Sequence, residues 1–270
     1  MIKDFSVLIS IYLKENPLWF REALDSVFEQ TVQPAEIVLV EDGPLTPELY
    51  AIIDEYSKKY PVFNVVKNER NLGLGLALQK GVLACNNEII ARMDTDDIIP
   101  KERFEKQLKF IEKGYDVVSG WTLIFEETPS NVIAIKKRPE FHDDIVKLAK
   151  RRSPIGHPSV MFRKNAVIMA GNYQDCFLYE DYYLWVRMIL SGAKFYNIQD
   201  VCYYLRTSKG QIERRGGWKY LNNELKVFFK FYKMKFYTLN DLIINSVFRI
   251  FVRLSPDFIR NCILKKIWTY

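Results

Sequence analysis

Between residues 5 and 120, short apolar runs rich in β-branched residues alternate with stretches of helical period, and this alternation constrains the chain more than any other feature. FSVLISI at 5–11, EIVLV at 36–40, FNVVK at 63–67, EIIARM at 88–93 and DVVSG at 116–120 read as strands. The first suits a strand covered on both faces. Pro17 sits where a helix opens, and Phe20, Leu24, Val27, Phe28 and Thr31 follow at helical spacing. Pro47 opens a second helix through Tyr60, residues 74–84 read as a third, and 102–113 as a fourth. Strands separated by helices of this length build a mostly parallel, Rossmann-like α/β sheet with helices on both faces. At 49% hydrophobic over 270 residues, the chain has the apolar surface for such a core.

After residue 120 the alternation weakens. A hairpin (TLIFEETPSNVIAIKK), a short helix and the loop RRSPIGHPSVMF precede a helical stretch at 176–192. From about 207 the chain turns basic and aromatic, so we expect a nucleotide-binding, catalytic domain at 1–206 and a helical region at 207–270. Residues 201–270 hold fourteen Lys/Arg against four Asp/Glu, whereas the first 200 hold 25 against 29. Such asymmetry points to a surface that meets something anionic. Lys219, Lys226, Lys230, Lys233 and Lys235 interleave with Trp218, Phe228, Phe229, Phe231, Tyr232, Phe236 and Tyr237. Ile243, Ile244, Val247, Phe248, Ile250, Phe251 and Trp268 follow, with Arg249, Arg253, Lys265 and Lys266. Basic amphipathic helices with aromatic anchors suit a membrane surface, and the competing reading is that these faces pack on the core. Nucleic acid is not expected as a partner, since no recognition motif occurs.

The N-terminus lacks a signal-peptide cleavage site and reads as a first buried strand. No run reaches the roughly 18 apolar residues of a spanning helix. Cys85, Cys176, Cys202 and Cys262 form no C-x-x-C pair. Together these features suggest a cytoplasmic protein, peripheral at the inner face of the cell membrane.

In open parallel sheets, ligands bind beyond the carboxyl ends of the strands. There the sequence gathers Tyr12, then Glu41-Asp42-Gly43, then Asn68, Arg70, Asn71 and Gly73, then Asp94-Thr95-Asp96-Asp97. Three carboxylates in four residues repel one another unless a cation is present. Oxygen donors suit Mn²⁺ or Mg²⁺, which commonly shares its shell with substrate phosphates. Alone, the cluster also reads as an acidic turn capping a helix. Beside a ring, amides and glycines it reads as a nucleotide site with a metal. Glu180-Asp181 supplies a base candidate, or an ordinary charged first turn of a helix. His157 either orients a diphosphate or acceptor or is structural. Arg206, Arg214 and Arg215 either clamp an anionic group or face solvent.

SVLISIY, the helix with SVFEQT, EIVLVEDG, NLGLGLALQKG and ARMDTDD occur in an order that resembles the family 2 inverting glycosyltransferases of GT-A fold, and HPSVMFRK and YEDYYLWVRM resemble that family too. The resemblance covers residues 5–205. It implies that Tyr12 lies against a uracil face and Asp42 bonds the base edge. Asn71 and Gly73 would shape the nucleotide pocket, Asp96 and Asp97 would hold the metal with Asp94 in support, and Asp181 beside Glu180 would be the catalytic base. It further implies a UDP-sugar donor, a hexose such as glucose or galactose, and a polyprenyl-diphosphate-linked saccharide acceptor in bacterial surface polysaccharide assembly. Leu13 stands where many members have asparagine, and Glu41 where aspartate is common.

Competing chemistries fit less well. Leu78 occupies the third glycine position of a dinucleotide fingerprint begun by Gly73-Leu74-Gly75. A phosphotransferase of haloacid dehalogenase type wants its D-x-D after the first strand, with Thr or Val where Ile98 stands. A non-catalytic adaptor would have no use for Asp94–Asp97 or Glu180-Asp181.

Overall fold

The computed structural model describes residues 4–207 and 217–256. Arg214, Arg215, Cys262, Lys265, Lys266 and Trp268 lie outside the described residues. The sequence alternation is realised as β1 (Ser6–Ile11), α1 (Pro17–Phe28), β2 (Glu36–Asp42), α2 (Pro47–Lys59), β3 (Phe63–Asn68), α3 (Leu74–Ala84), β4 (Ile89–Met93) and α4 (Arg103–Glu112). Caps set the helix starts. Asn16 accepts from the amides of Leu18 and Trp19, and Thr46 from that of Leu49, each with proline at the first helical position.

β5 (Val117–Phe125), β6 (Val132–Lys136), α5 (His142–Ala149), a 3-10 turn at His157–Ser159, β7 (Met161–Arg163), α6 (Lys164–Met169), α7 (Glu180–Leu190) and β8 (Phe195–Arg206) follow. The eight-stranded sheet runs β3-β2-β1-β4-β7-β5-β6, with β8 paired to β5. β1 pairs in parallel with β2 and β4, β2 with β3, and β5 with β8. β7 is antiparallel to both β4 and β5. Two predicted pieces prove to be one: the strand at 116–120 and the first arm of the hairpin are continuous in β5. Gly120 lets β8 lie close against this strand, because a Cβ there would lie 2.8 Å from Cys202 Cβ.

β1, β2 and β4 are buried almost throughout, as their apolar runs demand. One core lies between the sheet and α1, α2 and α4, a second between it and α3 and α7. α8 (Trp218–Lys233) and α9 (Leu239–Leu254) complete the described chain. Phe228, Phe231, Phe236 and Tyr237 are buried with Tyr182 and Val186 of α7, so these four aromatics serve the interior rather than a membrane. The outer face of α9 differs: Ile243, Ile244, Val247, Phe248, Ile250 and Phe251 are each more than 40% exposed. Among the described residues no helix is long and apolar enough to cross a membrane. Cys85, Cys176 and Cys202 are buried and free of disulfides.

Candidate active site

The parallel strands end together, and their ends wall a cleft of about 390 Å³ lined by Tyr12, Asp42, Asn71, Gly73, Asp94 and Asp96, with Ser10, Glu15, Leu74 and Thr95. Six of the predicted site residues thus meet in one cavity. Tyr12 follows β1 directly, lines the cleft and is 39% exposed.

Asp42 closes β2 and is buried. Its Oδ1 accepts from Asn68 Nδ2 at 3.0 Å and the Leu72 amide at 2.8 Å, and its Oδ2 from the Gly73 amide at 3.0 Å. The carboxylate therefore organises the loop before α3, and any base contact falls to what remains of its acceptor capacity. Gly43 permits this approach: its φ is +91°, and a Cβ would sit 2.7 Å from the Asn71 amide nitrogen.

The acidic turn after β4 brings one oxygen each of Asp94, Asp96 and Asp97 within 4.8 Å of one another. Burial, then the charge of Asp94, raises the pKa of Asp96; burial and the charges of Asp96 and Asp94 hold that of Asp97 well above the usual range. A carboxylate set that resists ionising for these reasons fits a hard divalent cation. The three are not equivalent. Asp94 is gripped by both terminal nitrogens of Arg92, with Nη1 to Oδ2 at 2.9 Å. Asp97 is buried behind the cleft wall, where its Oδ1 accepts from the Arg206 amide at 2.7 Å. Asp94 and Asp96 both line the cleft.

Arg206 reaches this turn, but not as a free clamp. Its Nε donates to Asp96 O at 3.0 Å and Nη1 to Glu127 O at 2.9 Å, while Nη2 pairs with Glu22. The guanidinium lies over the rings of Trp19 and Phe125 and is 7% exposed. Its named donors are committed to protein acceptors, so the structure gives it a bracing position under the acidic turn.

Glu180 and Asp181 open α7. A Cβ on Gly75 would come within 3.1 Å of Glu180 Cβ, which sets α7 against the first turn of α3 beside the cleft. Burial, then the charge of Asp181, pushes the Glu180 pKa up to about 7. Burial raises Asp181 also, against its bonds from the Tyr182 amide and from Ser153 Oγ at 3.1 Å. His157 Nε2 bonds the Tyr173 hydroxyl at 2.9 Å, and burial followed by the charge of Arg92 drives its pKa well down. A neutral ring committed to Tyr173 and packed near Trp185 fits the structural reading.

The glycosyltransferase family 2 model matches residues 6–169, which contain the cleft and the acidic turn. The chain belongs to glycosyltransferase family 2. This family 2 enzyme is 41% identical to the Escherichia coli UDP-Gal:α-D-GlcNAc-diphosphoundecaprenol β-1,3-galactosyltransferase, over 97% of this chain and 96% of the relative. It is 39% identical to the amylovoran biosynthesis glycosyltransferase AmsE of Erwinia amylovora, over 83% of this chain and 84% of that one. Among solved structures it superposes on S. aureus TarS 1–349 in complex with UDP-GlcNAc with a TM-score of 0.63 at 19% identity, covering 83% of this chain and 65% of that chain. The mannosyltransferase PcManGT of Pyrobaculum calidifontis, in complex with GDP-Man and Mn²⁺, gives a TM-score of 0.62 at 15% identity, covering 85% of this chain and 64% of that chain. The glycosyltransferase thus spans about two thirds of these solved chains, and the likeness establishes the GT-A fold.

Sequence reasoning missed Arg92, Glu15 and Tyr203. Arg92 is 2% exposed and stands mid-strand in EIIARM; a lone charge inside an apolar strand was the available signal. Glu15 lines the cleft beside Thr95, and burial pushes its pKa up to about 7. The Tyr203 hydroxyl accepts from the Asp94 amide at 3.2 Å, from a strand more than a hundred residues away, and no local pattern announces that.

Proposed function

We propose that this glycosyltransferase transfers a hexose, with galactose favoured over glucose, from a UDP-sugar to a hydroxyl of a saccharide linked to a polyprenyl diphosphate. Transfer proceeds with inversion, in bacterial surface polysaccharide assembly. The observation that carries the reading is the cleft in which Tyr12, Asp42, Asn71, Gly73, Asp94 and Asp96 converge at the strand ends, next to the Glu180-Asp181 start of α7. The near full-length similarity to the galactosyltransferase supports the donor and acceptor classes.

Tyr12 stacks on the base, and the loop held by Asp42 places Asn71 and Gly73 along the nucleoside. Asp96 supplies a cleft-facing ligand for Mn²⁺ or Mg²⁺, with Asp94 and Asp97 close enough to share it. Held by these carboxylates, a divalent cation would offset the negative charge gained by the departing nucleoside diphosphate. Asp181, with Glu180 beside it, takes the proton of the acceptor hydroxyl; its raised pKa suits a base working near neutrality. Attack from the side opposite UDP converts an α-linked donor to a β-linked product. The exposed apolar face of α9, with its basic residues, rests on the cytoplasmic membrane surface from which a lipid-linked acceptor is drawn. The catalytic unit spans residues 1–206 and this helical region 207–270.

The test is UDP release from a panel of UDP-sugars with Mn²⁺ and a synthetic GlcNAc-diphosphate lipid, for wild type and Asp96→Ala. Metal-dependent release from UDP-galactose, lost in the variant, is expected. Release from no UDP-sugar, with no metal-dependent UDP binding by calorimetry, refutes the reading.

A further inference from the structure

A second concavity, of about 470 Å³, lies between the β6–α5 connection and the segment after α5. Its lining includes Lys137, Arg138, Lys147, Arg151 and Arg152, with Asp144 as the lining carboxylate. Asp144 accepts from Lys147 Nζ at 2.8 Å, and Asp241 of α9 accepts from Arg151 Nη1 at 2.8 Å. Among the described residues that line or adjoin the groove, cations outnumber carboxylates, on a chain whose first 200 residues are net acidic.

Arg138 forms the inner end. Its Nη1 donates to Ser153 O at 3.1 Å, while its Nε is a buried N–H with no partner among the described residues. Burial, then the neighbouring charge of Arg152, lowers its pKa to about 10, as expected for two guanidinium groups facing one space. Two guanidinium groups lining one groove offer planar donors suited to phosphate oxygens.

Two neighbours show what the groove connects. On its inner side Ser153, whose carbonyl accepts from Arg138, donates its hydroxyl to Asp181 Oδ2 at 3.1 Å. On its outer side α9 is fastened to the groove wall: Asn245 Nδ2 donates to Lys150 O at 2.9 Å and Arg249 Nη2 to Arg151 O at 3.3 Å. The groove thus leads from the helix with the exposed apolar face to the carboxylate assigned as base. It is separate from the cleft at the acidic turn.

We propose that this groove binds the diphosphate of the acceptor, with Arg138, Arg152 and Lys137 on its oxygens, so that the lipid leaves along α9 and the saccharide reaches inward past Ser153 to Asp181. The assignment rests on the transferase reading above and adds the acceptor subsite to it. Recognition is electrostatic, so it weakens with salt.

Kinetics on the full chain compares a decyl GlcNAc-diphosphate acceptor with decyl GlcNAc lacking phosphate. The diphosphate acceptor has the lower KM in the wild type. Arg152→Gln, and Lys137→Glu on the exposed rim where folding is not at risk, each raise that KM about tenfold. They leave the KM for the neutral glycoside and for the UDP-sugar in place. Equal effects on both acceptors, no effect on either, or a shift in donor KM alone would overturn the proposal.

Should the wild type transfer to no acceptor, the transferase reading fails, and calorimetry in metal-free buffer still decides the groove. Decyl diphosphate binding that the two variants lose supports it, and binding they retain refutes it. Inorganic diphosphate separates the sources: if it binds as tightly as decyl diphosphate and competes with no lipid acceptor, the site serves free phosphate and the acceptor assignment is wrong.

Discussion

Replacing Arg206 by methionine tests whether this arginine braces the acidic turn or clamps the substrate. The side chain makes two charge-assisted bonds to backbone carbonyls, to Asp96 O at 3.0 Å and Glu127 O at 2.9 Å. Each such bond is worth about 1.5–3 kcal/mol. Its pair with Glu22 adds under about 1 kcal/mol, because that glutamate side chain is 52% exposed. Methionine keeps much of the packing against Trp19 and Phe125, so a net loss of about 3–4 kcal/mol is expected. In a chain of this size that lowers Tm by about 10 °C. The Asp97 carboxylate keeps its bond from the backbone amide of residue 206, but the Asp96 carbonyl loses its anchor. Mn²⁺ affinity, read from free ion by electron paramagnetic resonance, should fall about tenfold, the usual effect of removing a group that orients a ligand. Donor KM should follow only at limiting Mn²⁺. Unchanged Mn²⁺ affinity with a donor KM raised tenfold at saturating Mn²⁺ would refute the brace and restore the clamp.

Asp181→Asn should lower kcat by about 10²–10⁴, the usual contribution of a general base, and leave Mn²⁺ and UDP affinity in place; calorimetry that shows lost UDP binding would place Asp181 in the donor site instead. In wild type, kcat/KM should rise as pH rises toward about 7, since Glu180, pushed up to about 7, and the raised Asp181 must shed protons before the pair can accept one. A rate flat from pH 5 to 8 contradicts this. Stability moves the other way. Between the ordinary 4.5 and about 7 the folded protein holds a proton on Glu180 that the unfolded chain has released, so this contribution is full below 4.5 and lost as pH rises through 7. The metal-free protein should therefore melt lower at pH 8 than at pH 6, by scanning calorimetry. Gly81→Ala should destabilise by about 1–3 kcal/mol, because its Cβ would strike Leu8 Cδ1 and lie 2.9 Å from Val40 Cγ2, while donor KM stays fixed; a neutral Tm would show that α3 can shift from the sheet.

What the sequence disclosed follows the range of the interactions involved. β1 to β4 and α1 to α4 were legible because period, proline and caps are local, and the cleft followed because parallel strands end on one side. Tyr12, Asp42, Asn71, Gly73, Asp94 and Asp96 each sit at or just past the end of a strand, so topology brought them together. β7 and β8 were not legible. β7 is three residues long, and β8 alternates unevenly because its pairing with β5 shifts register at Trp121. Arg206 lies at the end of β8, and its bracing of Asp96 depends on that long-range pairing. The aromatic helix α8 was ambiguous for a related reason: Phe228 and Phe231 have the composition of membrane anchors, and only α7 packed against them shows that they are core.

Arg92 links the two halves of the site. Asp94, Asp96 and Asp97 of the acidic turn and Glu180 and Asp181 of α7 gather beside the cleft, and their mutual repulsion would scatter them or leave most protonated. Burial works against the Arg92 charge, but Asp94 and, behind it, Tyr203, Tyr173 and Asp97 outweigh that and hold its pKa above the ordinary value. Burial raises Asp96, Glu180 and Asp181 and lowers His157; the field of Arg92 opposes the first three shifts and adds to the last. Arg103 holds the strand in place from below, donating to Arg92 O at 2.7 Å and Val160 O at 3.3 Å. A neutral residue at 92 would leave Asp94 without this partner and raise both carboxylate groups at once. The acidic turn and the start of α7 are thus one electrostatic unit, and a charge that looked like an interruption in an apolar strand is what allows them to share a cleft.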